Sequence, residues 1–181
     1  MLSCRSASPN SRVRRLVSPL ERLLAIEDIK QLKARYFRFV DTKDWGGIAS
    51  LFAPDARFTR SGATSVLDPW SGSYHPPVPA EPDVRTGREQ IVEMMRAAVE
   101  QVRTVHHGHT AEIEILDEHT ARGIWGMSDE ILDRDHRLLL RGRGYYHESY
   151  EKGAEGWLIK TSRIQRIQLL IRGAAGELRY V

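Results

Sequence analysis

The run IEDIKQLKARYFRFVDTKDWGGIASLFAPDARF, residues 26–58, contains two predicted helices followed by the first predicted strand. Apolar side chains recur at helical spacing through its first half, at Ile26, Ile29, Tyr36, Phe37 and Val40. This spacing predicts a long amphipathic helix over residues 19–44, ended by the glycine pair at 46–47. Residues 47–53 predict a short second helix, and residues 56–59 predict the first strand.

The start of the first helix carries its own signal. Ser18 and Glu21 have the spacing of an Ser-x-x-Glu capping box. Residues 1–18 are rich in Ser and Arg and lack periodicity, which predicts a disordered basic extension, with an organelle-targeting segment as the alternative. We therefore expect a folded domain over residues 19–173, followed by a C-terminal tail at 174–181.

The rest of the chain predicts one more helix and then strands alone. The helix is expected at residues 88–102. Hairpin signals separate four long predicted strands, at 104–116, 119–132, 136–151 and 156–171. Helices first and strands later, without β-α-β alternation, indicate an α+β fold. In such a fold the helices pack on one face of a curved, mostly antiparallel sheet.

Residues 61–86 follow neither period. Glycine and proline are concentrated there, which predicts a long loop that also contains Trp70, Tyr74 and His75. Long loops in compact domains often serve as lids. The aromatic side chains therefore favour a lid packed over a pocket.

Charge and hydropathy exclude two classes of binding partner, nucleic acids and membranes. The net charge is +3, but four of the 27 basic residues lie in residues 1–20, which contain no acid, so 23 basic and 24 acidic residues remain. The basicity belongs to the extension, and we expect no nucleic-acid partner. No apolar run reaches the ~18 residues of a membrane span, so no membrane partner is expected. The single cysteine, Cys4, excludes an intrachain disulfide and favours a reducing, cytoplasmic compartment.

The densest group of candidate functional side chains is TVHHGHT, residues 104–110. Alternate residues of a strand face opposite sides, so His106 and Gly108 share one face while His107 and His109 share the other. One interpretation is a single catalytic histidine on the inward face. A second is a metal site on the other pair of histidines, with a third ligand from elsewhere. The third is a set of polar strand residues without chemistry.

Further candidates fall on predicted inward faces. Tyr36 lies on the apolar helical stripe, where its hydroxyl needs a partner. Asp41 lies near the helix C-terminus, which disfavours an acid unless it has a task such as holding a histidine. On the strands, Asp129 has apolar neighbours, while Arg163 and Arg166 lie on opposite faces, so one of them faces inward. Structural ion pairs are the alternative for these charges.

Five segments in order carry a family resemblance. Besides residues 26–58 they are GREQIVEMMR (87–96), TVHHGHTAEIEIL (104–116), ARGIWGMSDE (121–130) and WLIKTSRIQRI (157–167). Together they resemble SnoaL-like proteins of the nuclear transport factor 2-like superfamily, over roughly residues 20–170. The resemblance implies a conical α+β barrel in which a bent sheet wraps three helices around a deep apolar pocket.

Within that superfamily the chain is most similar to the scytalone dehydratase and bile-acid 7α-dehydratase type. This resemblance implies catalytic roles for Tyr36, Asp41 and His106, supported by Asp129 and by one of Arg163 or Arg166, with His109 as the alternative histidine. The residues expected to contact a substrate are Arg166, Trp125, Phe37, Trp70, Tyr74 and His109.

The chain contains no phosphate loop and no dinucleotide-binding glycine motif, so we expect no cofactor. The resulting prediction is a dehydratase or isomerase that moves protons on a small hydrophobic cyclic carbonyl compound, steroid-like or polyketide-like. The alternatives are a small-ligand-binding domain without activity, a small subunit of a ring-hydroxylating dioxygenase, and a metal-dependent enzyme.

The resemblance also implies a homotrimer or homodimer that associates through the outer face of the sheet. The apolar side chains expected on that face are Ile113, Ile115 and Leu138–Leu140.

Overall fold

The computed structural model describes residues 17–81 and 83–181. Its helices are α1 (Pro19–Thr42), α2 (Trp45–Leu51) and α3 (Arg88–Val99). Its strands are β1 (Phe52–Thr59), β2 (Val66–Leu67), β3 (Tyr74–His75), β4 (Val84–Thr86), β5 (Arg103–Ile115), β6 (Thr120–Leu132), β7 (Leu138–Gly153), β8 (Gly156–Arg172) and β9 (Leu178–Tyr180). Cys4 and most of the predicted basic extension lie outside the described residues.

Helix α1 begins and ends where local chemistry places its caps. The capping box is present: the backbone N–H of Glu21 donates to Ser18 Oγ at 3.2 Å, and that of Ser18 donates to Glu21 Oε2 at 2.9 Å. Lys43 follows the helix in the left-handed conformation, with φ at 61°. The buried stripe of the helix is Ala25, Ile29, Leu32, Lys33, Tyr36, Phe37 and Val40. The predicted stripe is confirmed at most positions, and it also contains a lysine.

The second helix differs slightly from the prediction. Asp44 caps α2, because its Oδ1 accepts a hydrogen bond from the backbone N–H of Gly47 at 2.8 Å. The glycine pair therefore lies inside α2 instead of separating the two helices.

The strands form one mixed sheet within the described residues. Strands β5, β6, β7 and β8 are an antiparallel meander. Strands β1 and β2 both run parallel to β8, while β4 pairs with β1 and β3 with β2. The sheet is curved and unclosed, with β3 and β5 at opposite ends of its strand order. The predicted α+β architecture, a curved and mostly antiparallel sheet with three helices, is confirmed.

The segment 61–86 is not a single loop. It contains three short strands, and the hairpin of β2 and β3 extends the sheet beyond β8. The C-terminal tail also pairs with the sheet, because β9 lies antiparallel to the end of β8. Both additions join the same strand, β8, which has partners along most of its length.

Strict alternation sets the inner face of the sheet. On β6 the buried residues are Ala121, Gly123, Trp125, Met127 and Asp129. On β7 they are Gly142, Gly144, Tyr146, Glu148 and Tyr150. The prediction that Ile113 and Ile115 face outward is wrong, because Ile115 is buried and Ile113 packs against the core. No helix of residues 17–81 and 83–181 is long and apolar enough to cross a membrane.

Candidate active site

A cavity of about 150 Å³ lies between the helices and the inner face of the sheet. Helix α3, strand β1 and strand β8 supply apolar wall residues such as Met95, Phe58 and Ile164. The polar side chains that line it are Tyr36, Arg60, His106, Asp129 and Tyr146. Three of the four predicted catalytic residues therefore line one cavity, and the fourth, Asp41, contacts it through His106.

Asp41 and His106 form a tight pair between the end of α1 and the start of β5. His106 Nδ1 lies 2.6 Å from Asp41 Oδ1, and the backbone N–H of His106 donates to Asp41 Oδ2 at 2.9 Å. Thr104 Oγ1 also donates to Asp41 Oδ1 at 2.9 Å, and Lys43 Nζ donates to the same threonine oxygen at 2.9 Å. One carboxylate thus fixes both the backbone and the ring of the histidine.

These hydrogen bonds determine the charge of the carboxyl group. Partial burial acts to raise the pKa of Asp41, but the hydrogen bonds from His106 and Thr104 outweigh it and hold the pKa below its ordinary value. Asp41 is therefore ionised at neutral pH and can only accept. Nδ1 of His106 must carry the proton, which leaves the lone pair of a neutral ring on Nε2. The Phe37 ring stacks nearly parallel to the His106 ring, with an interplanar angle of 17° and ring centres 6.1 Å apart.

Two tyrosines meet at the cavity wall. The rings of Tyr36 and Tyr146 lie 6.0 Å apart in an edge-to-face arrangement. Burial raises the pKa of Tyr36 well above its ordinary value, and Tyr146 and the Glu148 carboxylate add to the rise. Burial likewise raises the pKa of Tyr146, with the Asp129 charge adding to it. Both phenols keep their protons at neutral pH and are hydrogen-bond donors.

Asp129 is held by Arg166, the inward-facing one of the two candidate arginines. Arg166 Nη1 and Nη2 donate to Asp129 Oδ1 and Oδ2 at 2.6 and 2.7 Å, and both side chains are nearly fully buried. Burial acts to lower the pKa of Arg166, but Asp129 outweighs it and raises the pKa. Gly142 gives the pair its space, because a Cβ there would lie 2.2 Å from Arg166 Nη1. Arg163, by contrast, is exposed.

Two of the expected substrate contacts lie behind the cavity wall. Trp125 is 6% exposed and its Nε1 donates to Tyr150 Oη at 2.7 Å. It does not line the cavity, and neither does Phe37. Both residues shape the wall from inside the core.

The structure corrects the predictions for three other residues. Trp70 is 92% exposed and lies in a turn where its backbone N–H donates to Asp68 Oδ1 at 2.8 Å. Tyr74 Oη accepts from Gln165 Nε2 at 2.9 Å, on the side of β8 opposite the buried Ile164 and Arg166. His109 is exposed and pairs with Ser128 Oγ at 3.1 Å. None of the three lines the cavity, so none of them covers it in this structure.

A buried charge pair was missed in the sequence. Lys33 Nζ donates to Glu148 Oε1 at 2.6 Å, and both side chains are fully buried. The periodicity contains the signal. Lys33 falls on the apolar stripe of α1, and Glu148 alternates with Tyr146 and Tyr150 along β7.

The histidine cluster does not assemble a metal site. His106 faces inward while His107 and His109 are on the exposed side of β5, as the alternation predicts. Among residues 17–81 and 83–181, no group of three or more His, Cys, Asp or Glu side chains is arranged to hold a metal ion.

Comparison with known proteins extends the geometric findings. Residues 21–163 match the SnoaL-like domain. A protein of Gibberella zeae named "Probable cyclase" is 22% identical over 147 residues, which are 77% of this chain and 89% of that protein.

Solved structures show the same fold. One, named "Putative Scytalone Dehydratase", from Novosphingobium aromaticivorans, has a TM-score of 0.66 at 16% identity. The match covers 84% of this chain and 90% of that protein's chain. The hexachlorocyclohexane dehydrochlorinase of Novosphingobium barchaimii has a TM-score of 0.63 at 17% identity. The match covers 91% of this chain and 94% of that protein's chain.

Proposed function

This chain belongs to the SnoaL-like family, and we propose that it is a cofactor-independent lyase or isomerase acting on a small cyclic carbonyl compound. The observation that carries the proposal is the pairing of His106 with the ionised Asp41 at the wall of a mostly apolar cavity. That pairing supplies a base whose free nitrogen, Nε2, is directed away from Asp41.

The remaining polar groups fit proton transfer next to a carbonyl. His106 Nε2 takes the proton from the carbon beside the carbonyl, and the electron pair of that C–H bond moves toward the carbonyl oxygen. Tyr36 and Tyr146, protonated because burial raises their pKa, donate hydrogen bonds to the enolate oxygen. When the enolate collapses, the C–O bond at the next carbon breaks and His106 returns its proton to the departing hydroxide, so water leaves.

A substrate without a leaving group gives a different product at the same site. His106 then returns the proton to another carbon of the enolate, and the double bond moves. The names of the relatives, a cyclase, a dehydratase and a dehydrochlorinase, support chemistry on small molecules.

The volume of the cavity limits the size of the substrate that it can hold. Cavities of about 150 Å³ in other proteins hold one benzene-sized ring. The present cavity has the same size, about 150 Å³. We therefore propose a single-ring substrate in place of the steroid-like ring system that the sequence suggested.

Proton exchange at carbon tests the proposal without knowledge of the natural product. Purified protein is incubated in D₂O with a panel of cyclohexanones and 3-hydroxycyclohexanones, and deuterium uptake and loss of water are followed by NMR. We expect exchange above the buffer rate for the native chain, and a fall of about 10²–10⁴-fold in His106→Ala, since a general base contributes that much.

The neighbouring His107 provides the matched control. It is exposed on the other face of β5, so His107→Ala should retain the native exchange rate. Native rates in both variants would remove His106 from the chemistry. Binding of the ketones without exchange in the native chain would favour a ligand-binding domain over an enzyme.

We also propose that the chain forms a homotrimer or homodimer through the outer face of the sheet. Ile124 and Tyr145 are exposed apolar side chains on that face, at 36% and 40%. Light scattering of the purified chain measures the mass. A monomer at micromolar concentration would contradict the proposal.

A further inference from the structure

A fully buried ion pair lies behind the cavity, and the proposed proton transfer does not use it. Lys33 Nζ contacts Glu148 Oε1 at 2.6 Å, with both side chains at 0% exposure. Removing two charges from water is costly, so such a pair is retained only with good geometry and further hydrogen bonds. Both conditions are met here.

Three donors surround the Glu148 carboxylate. Besides Lys33, Tyr150 Oη donates to Glu148 Oε2 at 2.6 Å and Ser162 Oγ donates to Oε1 at 2.9 Å. Trp125 Nε1 donates in turn to Tyr150 Oη at 2.7 Å. A buried carboxylate with this set of donors needs a compensating cation, which the Lys33 ammonium provides.

The ammonium faces aromatic rings on its other sides. Lys33 Nζ lies 3.6 Å from the centre of the Tyr146 ring, 4.3 Å from that of Tyr36 and 5.0 Å from that of Phe37. The first two of these rings belong to the phenols that line the cavity. A desolvated cation over a ring face is a strong cation–π contact. The Lys33 ammonium of the charge pair therefore contacts the rings of both proposed hydrogen-bond donors, Tyr36 and Tyr146.

We infer that Lys33 and Glu148 are positioning residues that set the donor strength of Tyr36 and Tyr146 toward an anionic oxygen in the cavity. A cation beside a phenol stabilises the phenolate form, which makes the O–H a stronger donor, whereas a carboxylate has the opposite effect. The two charges therefore act with opposite signs on the same phenols. This inference rests on the proposed function, in which these phenols meet an enolate oxygen.

The probe is 4-nitrophenol, a single ring whose visible absorbance distinguishes phenol from phenolate. Its phenolate presents the oxygen anion that an enolate would present. In Glu148→Gln the lysine is no longer compensated, and we expect the phenolate to bind roughly tenfold more tightly. In Lys33→Met the carboxylate is no longer compensated, and we expect roughly tenfold weaker binding.

Controls separate this effect from loss of the fold. Lys30→Met removes a lysine of the same helix that is 52% exposed, and it should bind the probe as the native chain does. Should Lys33→Met fail to fold, the double variant Lys33→Met/Glu148→Gln carries no buried charge. Compared with Glu148→Gln, it should bind the phenolate more weakly. Circular dichroism melting curves establish which variants are folded.

The outcomes distinguish failure of this inference from failure of the proposed function. Shifts of the same sign in folded Glu148→Gln and Lys33→Met, or no shift in either, would make the pair purely structural and overturn the inference. A double variant that binds as tightly as Glu148→Gln would do the same. Failure of the native chain to bind phenolate, with proton exchange intact, would overturn the inference and leave the base at His106 standing. Absence of both would overturn the proposed function as well.

Discussion

The corner between α1 and β5 and the segment 61–81 contain the same kinds of side chain, yet the fold treats them differently. At the corner, Asp41 and His106 are joined by a 2.6 Å contact and a backbone hydrogen bond, and Phe37 stacks on the histidine ring. In the segment, Trp70 is 92% exposed and is held by a local turn on Asp68. An aromatic or histidine side chain is held in one position when helices or strands pack on both sides of it. A local turn fixes the backbone but leaves the side chain in solvent.

The largest expected difference between the two regions is in activity. Asp41→Asn keeps the size of the side chain but removes the charge that holds Nδ1 protonated, so His106 can adopt the wrong tautomer. We expect the proton-exchange rate at neutral pH to fall by about 10²-fold, within the range of general-base effects. NMR of the ring nitrogens should show the change of tautomer. An unchanged rate would mean that the carboxylate only supports the fold.

A pair of glycines compares the buried inner face of the sheet with the exposed segment in stability. A Cβ on Gly142 would lie 2.2 Å from Arg166 Nη1 and 2.5 Å from Asp129 Oδ1. Gly142→Ala should therefore disrupt this buried ion pair and cost about 3–5 kcal/mol of unfolding free energy. Gly72, in the exposed segment, has open space around it but a φ of 71°. Gly72→Ala should cost about 1 kcal/mol, through backbone strain alone. Urea denaturation measures both, and equal losses would contradict the comparison.

Acid should weaken the corner between α1 and β5 only below about pH 4. The pKa of Asp41 is lowered by folding, so its contribution to stability is complete above the ordinary aspartate value of 3.8 and is lost as pH falls through the lowered pKa. The unfolding free energy of Asp41→Asn should therefore depend less steeply on pH below about 4 than that of the native chain. Urea denaturation from pH 5 to about 2 measures the unfolding free energy of both proteins. Parallel pH profiles would show that protonation of Asp41 is not coupled to unfolding.

The smallest effect is expected at Trp70. Because the side chain is almost fully in solvent and does not line the cavity, Trp70→Ala should change stability by less than about 0.5 kcal/mol. Its proton-exchange rate should equal that of the native chain. A large fall in that rate would show that the segment closes over the cavity during turnover.

Much of the fold and part of the site were predictable because they follow local periodicity. The 3.6-residue spacing places Tyr36 and Phe37 inside, and strand alternation separates His106 from His107. The same two rules could have found Lys33 and Glu148, whose positions are inward on α1 and β7. Charged residue types obscured that signal, since lysine and glutamate are rarely buried without a partner.

Other features depend on contacts between residues distant in the chain. Asp41 and His106 are 65 residues apart, and Asp129 and Arg166 are 37 residues apart. No local pattern states which carboxylate meets which cation. The placement of Trp70 and Tyr74 away from the cavity was not predictable for the same reason, because composition indicates a loop but not the direction in which its side chains point.

Local sequence patterns predict the order of helices and strands, the inward faces of α1 and β6, and the residue types available for proton transfer, because backbone geometry ties these to neighbours in the chain. Packing between distant segments sets the cavity volume of about 150 Å³, the contact of Asp41 with His106, and the position of a buried ion pair against two of the lining tyrosines. These properties arise from the curvature of the sheet and from close packing between distant segments, which local propensity does not encode.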